Sequence, residues 1–418
     1  GFDGAIAALT RHRRAIRRPN RHNVALPVIF NDYMNCLMGE PTTAKLLPLI
    51  DAAADMGCEY FCVDAGWYAD GGWWDNVGEW LPSAQRFPGG IEEVLKRILA
   101  RGMVPGLWLE LEVMGIKCPL ASKVPDDWFF VRHGKRIIDH GRYQLDYRNP
   151  AVRAHADAVI ERLVTAWGVG YIKMDYNINA GIGTEVAADS PGAGLLGHNR
   201  AYLAWLDAVF QRHPDLVIEN CSSGGMRMDY ALLARHSIQS SSDQMDYRKN
   251  AIVAASTPSG VTPEQNAVWS YPLRDADRET AAVNMVNALL GRIHQSGHLA
   301  ELGPDARAMV AEGIACYKRI RAAIPAMVPY WPIGTPVFGD GWAAIGLRGE
   351  AIDYLAVWRL EDSSETQSLP IAHLVGREVA VELLYPANAP CNQRWSAANG
   401  NLVVTLPVRT SARLFALK

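Results

Sequence analysis

From residue 24 to residue 325 short apolar runs alternate with helical patterns, and most of the apolar runs end in acidic or amide side chains. Runs at 27–33, 60–64, 103–112, 170–177, 216–221 and 237–243 have the length and composition of buried strands, and weaker ones follow at 267–271 and 289–293. Between them lie helical patterns at 42–56, 90–101, 149–167, 199–213 and 230–235. Leu46, Leu47, Leu49 and Ile50 give the first helix its apolar side, and Pro150 stands at the first turn of the third, where a missing N–H costs nothing. Repeated βα units of this kind predict an α/β fold, a (β/α)8 TIM barrel. After Pro325 the period changes. Segments 337–348, 351–360, 379–385 and 402–417 alternate as short strands between turns, which predicts a small C-terminal antiparallel β-sandwich domain. The expected organisation is a basic arm at 1–23, a catalytic barrel at 24–325 and the β domain at 326–418. The Gly- and Ala-rich stretch 181–197 is expected to be a long loop rimming a cleft.

Six of the predicted strands end in polar groups where a core would hold Val or Leu: Asn31 and Asp32, Asp64, Glu110 and Glu112, Asp175, Glu219, and Asp243. In a parallel barrel the strand C-termini carry the chemistry. Residues two apart share a strand face, so Lys173, Asp175 and Asn177 are directed at one point. Carboxylates on two different strand ends can be the nucleophile and the acid/base of a glycosidase. An enolase- or aldolase-type barrel also sets carboxylates on successive strands, with a metal and a lysine base; Asp64, Glu110, Asp175 and Glu219 with Lys173 fit that pattern. Against it stand the isolated Asp243 and the lack of a late Gly-rich phosphate loop. A sugar-binding protein without catalysis is the third reading, but it has no use for two opposed carboxylates. Trp67, Trp73, Trp74, Trp80 and Trp108 are available for stacking on sugars or for packing a core.

The chain is 49% hydrophobic and 20% charged with a net charge of -3. That composition favours neither a nucleic-acid nor a membrane partner. The basic stretch 11–21 is expected to be a solvated helix or docking arm. Seven cysteines without C-x-x-C or zinc spacing suit reduced thiols and a cytoplasmic location. His294 and His298 have helical spacing but lack the Glu of a zinc motif, so neither a metal nor a cofactor is expected.

The motifs in order resemble those of glycoside hydrolase family 36, the α-galactosidases also called melibiases. Lys173-Met-Asp175-Tyr-Asn177 is similar to that family's K-x-D-x-N, and Ser242-Asp243-Gln-Met-Asp246 to its S-D-N-T-D. Cys221-Ser-Ser-Gly224-Gly-Met-Arg227 fits C-x-x-G-x-x-R, Gly78-Glu-Trp80 resembles G-D-W, and Gly106-Leu-Trp108-Leu-Glu110-Leu-Glu112 resembles G-x-W-x-E-P-E. The resemblance implies a retaining exo-acting α-galactosidase with Asp175 as nucleophile and Asp243 as general acid/base. It implies substrate contacts from Asp64, Trp80, Trp108, Lys173, Asn177, Cys221, Gly224 and Arg227, a galactoside as partner, and leaves a homo-oligomer open. The same pocket could serve an α-N-acetylgalactosaminidase, a β-L-arabinopyranosidase or a transglycosylase. Three departures stand out. Ala65 replaces the second Asp of D-D-G-W, Leu111 replaces a Pro, and the family's large N-terminal β-sandwich is expected to be trimmed or missing.

Overall fold

The computed structural model describes residues 1–361 and 363–418. Eight parallel strands close into a barrel: β1 (Ile29–Asn31), β2 (Tyr60–Val63), β3 (Val104–Leu109), β4 (Tyr171–Met174), β5 (Val217–Asn220), β6 (Ile238–Ser240), β7 (Asn266–Ser270) and β8 (Arg292–Gln295). Ile29 of β1 pairs with both Tyr60 of β2 and His294 of β8, which closes the ring. Alternate side chains fill two separate spaces, as the strand period requires. Ile29, Tyr60, Cys62, Tyr171, Val217, Ile238 and Ala267 pack with one another as one apolar cluster. Phe30, Phe61, Val63, Ile172 and Ile218 belong to the main core, with the apolar faces of helices such as Thr43–Asp55. Side-chain caps start the helices where the sequence supplies them. Asn149 Oδ1 accepts from Ala151 N (2.9 Å) ahead of Pro150, and Asp277 Oδ1 accepts from Thr280 N (2.7 Å).

Two barrel expectations shift. The last strand is Arg292–Gln295, and Leu289 is instead the final residue of the helix Arg278–Leu289. Every residue of that helix from Ala281 to Leu289 is buried, because it lies between the barrel and the C-terminal sheet; Trp358 Nε1 donates to Asn287 Oδ1 at 2.8 Å. The apolar residues at the buried end of such a helix cannot be told from the start of a buried strand by periodicity alone. The expected loop 181–197 ends early: Ser190 caps a helix over Pro191–Arg212. Its glycines hide the helical pattern. Gly194 is required because a Cβ there would meet Thr184 O at 2.3 Å.

The N-terminal residues form a helix, Phe2–Ile16, docked on the barrel rather than solvated along its length. Arg14 (2.9 and 2.8 Å) and Arg17 (2.8 Å) both bond Glu264, whose side chain is fully buried. Beyond the barrel come β9 (Val328–Tyr330), β10 (Trp342–Arg348), β11 (Asp353–Arg359), β12 (Thr366–Pro370), β13 (Val381–Tyr385), β14 (Asn392–Ser396), β15 (Asn401–Thr405) and β16 (Ser411–Leu417). They make a sheet in the order β9-β10-β11-β16-β13 and a second in the order β12-β15-β14. Leu355, Val357, Leu369, Leu402, Val404 and Phe415 form the apolar layer they share. The run 402–417 divides into two strands. Val337 and Phe338, expected in a strand, are exposed in the turn before β10.

Candidate active site

The site begins with a row of side chains set by register. Trp108 of β3 pairs with Lys173 of β4, which pairs with Glu219 of β5, and Trp269 of β7 pairs with His294 of β8. Above this row the strands end and the acidic groups begin. Lys173 Nζ donates to Asp64 Oδ2 at 2.9 Å, and the same oxygen accepts from Asn31 Nδ2 at 2.6 Å. Burial works against the lysine's charge, but the carboxylates of Asp64, Asp243 and Glu219 outweigh it and hold its pKa above the usual value. Asp32 lies behind Asp64 and accepts from its backbone N–H at 2.7 Å. Burial, with the charge of Asp64, pushes Asp32 far above the normal carboxylate range.

Asp175 follows β4 and is 7% exposed. Three N–H groups point at its carboxylate: Trp108 Nε1 at 3.1 Å, Tyr176 N at 2.8 Å and Ser223 N at 3.3 Å. These bonds fix its orientation from β3, β4 and the loop after β5. Asn177 is held two residues on. Its backbone N–H donates to Glu110 Oε1 (2.6 Å), and its Oδ1 accepts from Ser223 N (2.9 Å) and Ser223 Oγ (2.7 Å). Glu110 also bonds the buried Arg142, whose guanidinium lies over the Trp74 ring at 3.7 Å and keeps a buried Nη2 without a partner. Burial raises Glu110 to about 7, against the pull of Arg142.

The loops after β5 and β6 bring in Asp243. Gly224 bridges to Ser242, and an added Cβ would stand 2.5 Å from Ser242 Cα at a φ of +83°, so only glycine allows this approach. Asp243 as a residue is exposed to solvent, although its carboxyl group is crowded by protein and by the charges of Lys173, Asp175 and Asp64. Its pKa is pushed up to about 6, first by burial and then by the charges of Asp175 and Asp64, with Lys173 opposing. Cys221 is buried, its thiol pushed up by burial and the charge of Asp175.

Asp64, Lys173, Asp175, Cys221 and Asp243 therefore share one electrostatic neighbourhood, with Trp108 against Asp175. Two expected contacts sit differently. Trp80 is 1% exposed and packs against Tyr68 and Trp108 (ring centroids 4.8 and 5.9 Å), with Trp108 standing between it and Asp175 in the chain of contacts. Arg227 is engaged by Glu112 (2.6 and 3.2 Å) and stacked over Tyr176 at 4.5 Å. Ala65 is 1% exposed within the main core, and its N–H donates to Asp64 Oδ1 at 2.8 Å. Tyr33, Arg142 and Trp269 were not expected. Tyr33 stands two residues beyond Asn31, and burial with the charges of Asp64, Asp243 and Asp175 raises it to about 12. Its spacing from Asn31 was a usable signal; Arg142, between two clear elements, had none.

Chemically, the mouth offers one carboxylate fixed by three N–H donors and a second poised to hold or release a proton near neutrality. The hollow at the opposite end of the barrel, about 340 Å³ and lined by His22 and Tyr60, contains a single carboxylate, Asp215. Among the described residues no group of three or more His, Cys, Asp or Glu is arranged to hold a metal ion.

The profile of the family described as Melibiase matches residues 7–326. α-Galactosidase 1 of Pediococcus pentosaceus is 25% identical over 321 residues, 75% of this chain and 43% of the relative. The α-galactosidase of Escherichia coli is 30% identical over 198 residues, 46% of this chain and 26% of the relative. Among solved structures, a variant of the family 36 α-galactosidase AgaA of Geobacillus stearothermophilus in complex with 1-deoxygalactonojirimycin superposes with a TM-score of 0.85 at 19% identity, covering 100% of this chain and 59% of that one. The chain thus spans under half the length of these two curated relatives.

Proposed function

The chain belongs to the melibiase family, and on that premise we propose that it is a retaining, exo-acting α-galactosidase that removes terminal α-linked galactose from oligosaccharides or glycoconjugates. Asp175 attacks the anomeric carbon while Asp243 gives its proton to the leaving oxygen. Water then attacks the galactosyl-enzyme, with Asp243 taking the proton back. The observation that carries the reading is the contrast between the two carboxylates in one mouth: Asp175 accepts three N–H bonds, whereas Asp243 is held up to about 6. Retaining chemistry needs one carboxylate ionised and its partner able to be protonated.

Asp64, Lys173 and Trp108 would hold the sugar from the strand ends, with Asn177, Cys221 and Gly224 beside them. Trp80 would act through Trp108, and Arg227 through Glu112 and the loop it steadies. Ala65 favours a second reading, in which a weaker hold on the 6-hydroxymethyl group admits β-L-arabinopyranosides. The same proposal divides the chain into an arm at 1–23, a barrel at 24–325 and a β domain at 326–418. It expects cytoplasmic work, in keeping with seven cysteines that are all unpaired. No helix of the described residues is long and apolar enough to cross a membrane.

The deciding experiment is a panel of nitrophenyl α-galactoside, α-N-acetylgalactosaminide, α-glucoside and β-L-arabinopyranoside. It is run on the wild type and on Asp175→Ala with and without azide. The galactoside is expected to be preferred, Asp175→Ala to be inactive, and azide to restore turnover with inverted product. Activity lost in chelator and restored by magnesium or manganese would replace this reading with the metal-dependent one.

A further inference from the structure

Two buried amides have no part in the mechanism above. Asn284 and Asn287 stand three residues apart, and so on one face, in the helix Arg278–Leu289; they are 0% and 4% exposed among Ala, Val, Met and Leu. An apolar residue would pack there without needing partners, whereas a buried amide is tolerated only with its hydrogen bonds made. These bonds lead to the segment that carries Asp243, the irregular stretch between the end of β6 at Ser240 and the helix Tyr247–Ser256. Asn287 Nδ2 donates to Tyr247 O at 3.0 Å, while its Oδ1 accepts from Trp358 of β11 at 2.8 Å. Asn284 Oδ1 accepts from Tyr271 N at 3.2 Å, one residue beyond β7, and the Tyr271 hydroxyl donates to Gln244 O at 2.5 Å. Tyr271 is fully buried in a cluster with Met34 and Trp269, so packing aims that hydroxyl. Asn35, beside Met34, adds a third tie from Nδ2 to Met245 O at 3.1 Å. The helix is itself clamped from outside, where Glu279 accepts two bonds from Arg413 of β16 at 2.7 Å each.

We propose that Tyr271 and Asn287 are positioning residues for the acid/base: they hang the segment carrying Asp243 from the buried helix, and through Trp358 from the C-terminal sheet, so that this sheet contributes to leaving-group protonation without touching substrate. This rests on the reading of Asp243 as acid/base. The nucleophile is held by other groups, since Asp175 takes its bonds from Trp108, Tyr176 and Ser223 on the side of β3, β4 and β5. Loosening the ties to the helix therefore weakens proton transfer first and nucleophilic attack little.

The test is kcat/KM for two substrates in wild type, Tyr271→Phe, Asn287→Ser, Asp243→Ala and the double variant Tyr271→Phe/Asp243→Ala. Dinitrophenyl α-galactoside has a leaving group that needs little protonation; methyl α-galactoside has one that depends on it. Tyr271→Phe and Asn287→Ser should each lower the methyl galactoside value by about tenfold or more and the dinitrophenyl value by less than about threefold. In the Asp243→Ala background Tyr271→Phe should add no further loss on either substrate. Thermal unfolding checks that each variant is folded. Tyr271→Phe removes one oxygen from a ring that keeps its packing, and it decides the matter if Asn287→Ser does not fold. Equal losses on the two substrates, or no loss, overturn the inference alone. An Asp243→Ala variant that loses equally on both overturns the assignment of Asp243 and the inference with it, so the two failures are distinct.

Discussion

Lys173→Met deletes a cation that is bonded to Asp64 at 2.9 Å, with 4% and 2% of the two side chains exposed. At an effective dielectric near 20, unit charges at that distance attract by about 6 kcal/mol. Desolvation of both ions offsets much of this. What an experiment reads is the cost of leaving Asp64 buried with only Asn31 and the Ala65 amide as donors, about 3–5 kcal/mol. Asp64→Asn strands the ammonium instead and should cost a similar amount. The double variant removes both charges and should recover at least about 2 kcal/mol of the summed single losses. Urea unfolding followed by tryptophan fluorescence and far-UV circular dichroism measures this, and coincident transitions license a two-state treatment. The lysine's folded pKa is raised, so its stabilisation is complete below its unfolded value near 10.4 and is lost only as pH rises through the higher folded value. The wild-type advantage should therefore stay flat from about pH 7.5 to 9. Single losses that simply add, or an advantage that decays across that range, would refute the account of a buried, mutually dependent pair.

For the wild type, kcat/KM should fall as pH rises through about 6, because Asp243 must be protonated to release the aglycone; Asp243→Ala should remove that limb while keeping some turnover of aryl galactosides, whose leaving groups need little protonation. Gly224→Ala forces a Cβ to within 2.5 Å of Ser242 Cα, which displaces Asp243. A shift of about 1 Å there costs on the order of 100-fold in kcat/KM, while wild-type kinetics in a folded variant would show that the loops do not depend on the close approach. Glu112 is buried but held down to about 2 by Arg227 and His198. Its contribution is complete above the unfolded value near 4.3 and lost as pH falls toward 2. Arg227→Met should therefore raise the midpoint of acid unfolding, and an unchanged midpoint would remove Glu112 as its cause.

Much of the site was legible because its signal is local. An apolar strand of four residues cannot end in Lys-x-Asp-x-Asn or Ser-Asp without directing those groups to the strand's C-terminal end, and the period of two puts Lys173 and Asp175 on one face. The chain itself therefore determined the barrel, the change to an antiparallel sandwich, and the setting of Asp175 and Asp243 just beyond strand ends. What it could not determine depends on contacts between distant segments. The expected strand 289–293 moved to Arg292–Gln295 because Leu289 ends the helix Arg278–Leu289, which is buried under the C-terminal sheet, a partner that no local pattern announces. Trp80 reads as a ligand platform in a motif, and only packing decided that its ring would lie against Tyr68 and Trp108. The directions of the two pKa effects were decided by the fold as well. Asp243 rises and Glu112 falls, although both are carboxylates at the same end of one barrel. Burial acts on both in the same direction; the difference is that tertiary structure gave Glu112 a cation within bonding distance, whereas Lys173 near Asp243 is bonded to Asp64 and is countered by the charges of Asp175 and Asp64.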